Sequence, residues 1–342
     1  MSTEVQHFEL GDFPFDSGAI LPGARIAYTT YGKLNEARDN VIVWPTWFTG
    51  THEEHEWMIG PGDALDTSEY FVVVPSMFAN GLSSSPSNTP APFDGPRFPH
   101  HTIQDNVRAQ HRLLSERFDV QRIQLVIGGS MGAFQAFQWG LSHPDLVARI
   151  MPCCGASRVS RHCYVFLWGV KAAVLADQAF AGGDYTEPPE AGLRAAGRVY
   201  AGWGLSQAFY REELYEQLGF DSVDAFLVGF WEAWLSSLDA NDMLSQVHTW
   251  QDADLAATPG YDGDLDRALG DIRAKAFLCP GEHDLYFPPE DMAREAEQMR
   301  DAELRLLRGP WGHQSDAGLD PGCMDEMRRN ARDLLREEAV PA

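Results

Sequence analysis

The stretch Gly128-Gly-Ser-Met-Gly132 sets a serine among small residues. It follows the apolar run Ile123-Gln-Leu-Val-Ile127 and precedes a helical pattern that starts at Met131. A serine hydroxyl serves as a nucleophile when it stands on a sharp strand-to-helix turn, clear of the sheet, with a base beside it. Flanking glycines relieve the crowding that side chains would cause there. The helix N-terminus behind the serine favours developing negative charge. Ser130 is therefore the candidate nucleophile.

Serines on such turns take their partners in the chain order Ser, Asp or Glu, then His. Asp284 lies in Pro280-Gly-Glu-His-Asp284, after the apolar stretch Ala276 to Cys279. His313 lies in Gly309-Pro-Trp-Gly-His313, after Leu304 to Leu307. His313 is expected to take the serine proton and return one to the leaving group, with Asp284 fixing the imidazole tautomer. Three neighbours compete. His283 follows the wrong strand and is expected to face solvent, Asp291 lies on the next helix, and Asp316 shares the loop of His313. The oxyanion formed on acyl transfer needs the backbone N–H of Met131 and one donor from Pro45-Thr-Trp-Phe-Thr-Gly50. Trp47 and Phe48 are the candidates, and the sequence does not separate them. His52-Glu-Glu-His55-Glu56 resembles a zinc motif, but that motif needs histidines four apart on a helix. These are three apart in an expected loop, so no metal is expected. The chemistry needs no cofactor.

These residues require a sheet to carry them. Short apolar runs at Val41 to Trp44, Phe71 to Pro75, Ile123 to Ile127, Ala148 to Met151, Ala276 to Cys279 and Leu304 to Leu307 suit strands covered on both faces. Helical patterns at Thr102 to Phe118, Met131 to Leu141 and Pro289 to Met299 alternate with them. Such alternation implies a mostly parallel, doubly wound α/β sheet. It breaks between about 157 and 271, where Ala, Leu, Trp and Phe recur at helical spacing. The reading is an α/β core over 1–156 and 272–342 with an inserted helical cap over 157–271. The aromatic stripe of Phe226, Phe230, Trp231 and Trp234 reads first as packing within the cap. The Asp-rich stretch from Asp252 to Asp266 reads as a solvated loop.

The chain has 342 residues and a formal net charge of -24. That sign repels phosphate backbones and anionic lipid, so neither a nucleic acid nor a membrane is an expected partner. Five cysteines without framework spacing argue against disulfides and zinc. The N-terminus shows no secretory signal and no stretch is long enough to span a membrane, so the cytoplasm is the expected location.

With these residues in place, the chain resembles the homoserine O-acetyltransferases, enzymes of the α/β-hydrolase fold. The similarity rests on Gly128-Gly-Ser-Met-Gly-Ala-Phe-Gln-Ala-Phe-Gln-Trp139, Asn80-Gly-Leu-Ser-Ser-Ser-Pro86, Phe98-Pro99 leading to Thr102-Ile-Gln-Asp105, and Ser157-Arg-Val-Ser-Arg-His162. It runs from about Gly23 to the final helix. The resemblance implies an acyl-enzyme on Ser130 that a second nucleophile resolves. In those transferases acetyl-CoA is the donor and the homoserine hydroxyl the acceptor. It also implies a homodimer built through the cap.

Two departures redirect the reading. The family has an Asp directly after the catalytic His, where it helps hold the homoserine amino group. Gln314 stands there in this chain, and a neutral amide cannot compensate a buried ammonium. Trp47 and Phe48 also make the oxyanion loop bulkier than the family pattern. Both changes fit a branch similar to the transferases that hydrolyses short acyl esters, with water as acceptor. The homoserine O-acetyltransferase reading stays as the alternative, and an idle ligand-binding protein as a third. Arg158, Arg161 and His162 are candidates to bind an anionic group of the substrate, or else to salt-bridge the acidic surface.

Overall fold

A computed structural model describes residues 4–338. The outermost residues of the expected core, 1–3 and 339–342, lie outside them. Eight strands form one sheet: β1 (Gln6–Pro14), β2 (Ile20–Tyr31), β3 (Val41–Val43), β4 (Phe71–Pro75), β5 (Ile123–Gly129), β6 (Arg149–Cys153), β7 (Lys275–Leu278) and β8 (Ala302–Leu304). Their spatial order is β1-β2-β4-β3-β5-β6-β7-β8. The pairs β1–β2 and β2–β4 are antiparallel, and every pair from β4 onward is parallel.

Side chains alternate across the sheet because successive Cβ atoms point to opposite faces. Val41, Val43, Val73, Val126 and Ile150 pack into one layer. Ile42, Val72, Val74, Leu125 and Ile127 pack into the other. Each such aliphatic side chain contributes about 1.5–3 kcal/mol when fully buried. Against the first layer lie α1 (Ile103–Arg112) and α2 (Met131–Ser142). A capping box starts α1: Thr102 Oγ1 accepts from Asp105 N–H while the Asp105 carboxylate accepts from Thr102 N–H. The helix widens into a π turn over Leu113–Arg117, within the expected helical span.

Between β6 and β7 the chain makes a long helical excursion containing α3 (Arg161–Leu175), α4 (Glu190–Gly204) and α5 (Ala240–Gln251). Its apolar side chains, among them Phe166, Tyr200, Trp231 and Trp250, pack with Phe48, Met131, Phe134 and Phe287 from beyond the strand ends. The excursion leaves and returns through a pinched neck. Val159 N–H donates to Ala253 O and Leu255 N–H to Ser157 O, each at 2.9 Å. After β7, α6 (Pro289–Gln298) joins the first layer through Met292, and α7 (Pro321–Arg336) covers the second through Met327, Ala331 and Leu334.

Several expectations need correction. The β1–β2 hairpin was not foreseen, because a half-exposed edge strand shows no continuous apolar run. The last strand lies earlier than Leu304 to Leu307; Leu307 joins only through an isolated bridge to Gly281. His52 to Met58 is not a loop: Glu53–Met58 form a 3₁₀ turn with His55 buried. The Asp-rich stretch is not simply solvated. Asp254 caps the turn Leu255–Ala257, and Asp264 caps the helix Leu265–Asp271.

Candidate active site

Ser130 sits where β5 turns into α2, with φ 52° and ψ −118°. Such a backbone costs on the order of 1–3 kcal/mol and persists only where its surroundings hold it. Here Ser130 N–H donates to Cys153 O at 3.0 Å, and Ala133 N–H donates to Ser130 O at 2.9 Å. A side chain at Gly128 would run into the Gly132 carbonyl, which explains that glycine.

The parallel strands deliver the partners to the same edge. Cys279 bridges Cys153 just past β7, and Leu307 bridges Gly281 just past β8. Asp284 and His313 follow these bridges. His313 Nε2 lies 2.9 Å from Ser130 Oγ, and His313 Nδ1 lies 2.8 Å from Asp284 Oδ2. With the Nδ1 proton donated to Asp284, Nε2 is free to accept the serine hydroxyl. Asp284 is anchored in turn, because its Oδ1 accepts from Tyr286 N–H at 2.8 Å and Phe287 N–H at 3.1 Å. All three side chains are buried. Burial works against the imidazolium of His313. The Asp284 charge and hydrogen bond, with a smaller push from Asp316, outweigh it and hold the His313 pKa above its usual value.

Above this line lies a cavity of about 240 Å³, walled by Trp47, Phe48, Tyr200, Phe230, Trp231 and Trp234. The aromatic stripe thus divides its roles: Phe226 is wholly core, while the other three face the cavity. On the turn after β3, Thr46 N–H donates to Pro75 O, Thr49 N–H to Gln246 Oε1 and Gly50 N–H to Trp47 O. Among the described residues, Trp47 and Phe48 are the two on this turn whose N–H groups have no acceptor. Met131, as the first helical residue, has no carbonyl one turn back to accept its N–H. His55 backs Trp47: the rings stack at 4.2 Å, and His55 Nδ1 lies 2.8 Å from Thr51 O. The sequence offered no sign of this support.

Gln314 lines the cavity beside His313, and so does Asp316. Asp316 is buried with its Oδ2 unpartnered. That oxygen lies where a side chain at Gly129 would be. Burial is the main cause that pushes its pKa up to about 7, against the pull of His313 and with the repulsion of Asp284. It makes no hydrogen bond to His313, so Asp284 alone occupies the position beside Nδ1.

Arg158, Arg161 and His162 are not in this cavity. Arg158 Nε pairs with Asp254 Oδ1 at 2.7 Å and its Nη2 reaches Gly263 O, so its charge is spent on the neck. Arg161 and His162 are exposed at the start of α3, with the His162 ring 4.6 Å from Trp203. Of the two readings open for these residues, Arg158 takes the ion pair, with Asp254, and none of the three lines the cavity.

Known proteins resemble the chain over nearly its whole length. The family profile described as alpha/beta hydrolase fold matches residues 39–315. The ethyl acetate hydrolase of Pseudomonas veronii is 36% identical, with 98% of each chain covered. The solved structure of the acetyl esterase MekB superposes with a TM-score of 0.95 at 35% identity, covering 98% of this chain and 97% of that one. The homoserine O-acetyltransferase of Trichormus variabilis is 29% identical, over 97% of this chain and 94% of its own.

Proposed function

Because the chain belongs to the α/β-hydrolase fold family, we propose that it is a serine esterase that hydrolyses short-chain acyl esters of the acetate type. The observation that carries this reading is the hydrogen-bonded line Asp284–His313–Ser130 at the floor of a small aromatic cavity. In the mechanism, His313 Nε2 takes the proton of Ser130 as Oγ attacks the ester carbonyl. The oxyanion is received by Met131 N–H and by Trp47 or Phe48 N–H; each such donor is worth about 10²–10³ in kcat. His313 then protonates the departing alcohol, leaving an acyl group on Ser130. Water, deprotonated by His313, attacks that acyl group and frees the acid. A cavity of about 240 Å³ is below the roughly 300–1,000 Å³ typical of drug-sized ligands, which supports a small acyl and a small alcohol.

The helical excursion, 157–271, serves in this reading as a cap over a core of 1–156 and 272–342. On α3, Val165, Trp168 and Leu175 are 64%, 44% and 46% exposed on one face. That face supports a homodimer through the cap, and sedimentation as a monomer-sized particle would remove it. All five cysteines are buried free thiols, in keeping with the reducing cytoplasm. Among the described residues no helix is long and apolar enough to cross a membrane.

One observation favours a second reading, transfer to homoserine from acetyl-CoA. The buried Asp316 carboxyl faces the cavity and is able to receive an ammonium. The two separate when purified protein is given an acetyl ester with and without homoserine, and acetate and O-acetylhomoserine are followed together. Acetate alone is the expected product. O-acetylhomoserine formed at the expense of acetate would replace the esterase by the transferase.

Asp316 also bears on the pH profile. Its charge raises the His313 pKa, and the reaction needs neutral His313. Because the Asp316 carboxyl is itself protonated below about pH 7, Asp316→Asn is expected to move the acidic limb of kcat/KM only slightly to lower pH, with the gain confined to the region near pH 7 and none at pH 6. An unmoved limb would separate Asp316 from the chemistry.

A further inference from the structure

A cluster of metal-ligating side chains lies away from the cavity. His100 sits on the segment that leads into α1. His248 is near the end of α5, and Asp252 is its C-cap, one turn further on. His100 Nε2 lies 3.1 Å from Asp252 Oδ2, and the His100 and His248 rings are 4.4 Å apart between centroids. One ligand atom from each of the three falls within 4.8 Å of the other two. We propose that His100, His248 and Asp252 bind a divalent transition-metal ion, zinc by the nature of its ligands, which clips α5 to the segment entering α1.

Two imidazoles and a carboxylate form a donor set that zinc accepts, at about 2.0–2.2 Å from the metal. Tetrahedral bonds of that length separate the ligand atoms by roughly 3.4 Å. The His100–Asp252 pair already meets this spacing, and the widest separation closes by rotation of part-exposed side chains. The backbone that carries them is held in register. Thr249 Oγ1 donates to His101 O at 2.7 Å, tying the residue beside His248 to the residue beside His100. His248 and Asp252 are four apart, so both project from one face of the helix end. Lys171 is the cation that opposes the site; it also rests over the Trp168 ring, 4.8 Å from the centroid. The formal net charge of -24 favours a cation at long range. A water or chloride would complete the shell, as three protein ligands leave one position open. No motif marks the site in the sequence, because the two histidines come from distant segments.

The test uses the full chain, stripped with a chelator and titrated calorimetrically with zinc chloride. Wild type is expected to bind one ion in the micromolar range. His100→Ala and His248→Ala should each weaken binding at least about tenfold, and His162→Ala, an exposed histidine elsewhere on the excursion, should leave it unchanged. Cobalt(II) should give a d–d absorption of four- or five-coordinate intensity in wild type that is lost in His248→Ala. Zinc should raise the melting temperature of wild type by a few degrees and that of His248→Ala by none. Unaltered circular dichroism and metal-free ester turnover show that each variant is folded. Equal zinc affinity in the His100→Ala/His248→Ala double variant, or no binding by wild type at about 1 mM zinc, overturns the proposal.

Discussion

Ser130→Ala is expected to lower kcat for acetate-ester hydrolysis by about 10⁶-fold, and His313→Ala by a similar factor. The double variant should be no worse than either, because the two residues act as one unit. Asp284→Asn is the more informative change, with an expected loss of about 10⁴-fold. Two backbone donors, Tyr286 N–H and Phe287 N–H, fix an acceptor at the Oδ1 position. The asparagine carbonyl must therefore occupy that position, and its NH₂ must face His313 Nδ1. Nδ1 then becomes the acceptor, the ring proton moves to Nε2, and the base points a proton at the serine it should deprotonate. Steady-state turnover with active-site titration checks this. A variant within tenfold of wild type would remove Asp284 from the proposed triad.

The second large effect is on acid stability. His101 is wholly buried among Phe15, Phe78 and Phe98. Burial lowers its pKa to about 3, with further lowering from His100 and His248. In the unfolded chain its pKa returns to about 6.5. A group whose folded pKa is depressed contributes stability that is present above the unfolded value and lost as pH falls toward the folded one. The loss thus runs from about pH 6.5 down to about 3 and reaches several kcal/mol for this one ring. His101→Phe should remove it. The stability difference between wild type and variant, measured by urea unfolding, should shift in favour of the variant by several kcal/mol between pH 7 and 3.5. His55 behaves alike, with burial lowering its pKa to about 3. Asp242 and Glu295 work in the opposite sense. Burial raises both to about 7, so they cost stability as pH rises from about 4 to 7. Between about pH 4 and 6.5 these four groups therefore oppose one another, and below about 4 the two histidines act without that opposition. A difference that does not change with pH would show that His101 charges in the native state.

The parts of this fold that announce themselves in the sequence are those buried on both faces. Val41–Val43 and Phe71–Pro75 are continuous apolar runs because no residue on either face meets water. The Gly-rich turn around Ser130 is legible because the backbone geometry there excludes side chains. Asp284 and His313 are legible because parallel strands put every following loop at one edge. What stays hidden depends on contacts between distant segments. The stacking of His55 on Trp47 joins a short turn to the oxyanion loop, and neither residue type signals it. The approach of Asp316 to Gly129 depends on how tightly one turn is wound. The choice between substrate and ion pair for Arg158 was open for the same reason: only the folded neck shows that Asp254 pairs with it.

That neck has an evolutionary consequence. Two backbone hydrogen bonds and one ion pair close the excursion where it meets the sheet, between 157–159 and 253–255. The pinch brings the two ends of the excursion together, so a change of length beyond it need not move β6 or β7, but Gln246 on α5 accepts from Thr49 N–H and ties that helix to the turn beside Ser130. A change of lining within the excursion alters the aromatic wall of the cavity, whereas Gln314, Trp47 and Phe48 stand outside the excursion and change independently of it.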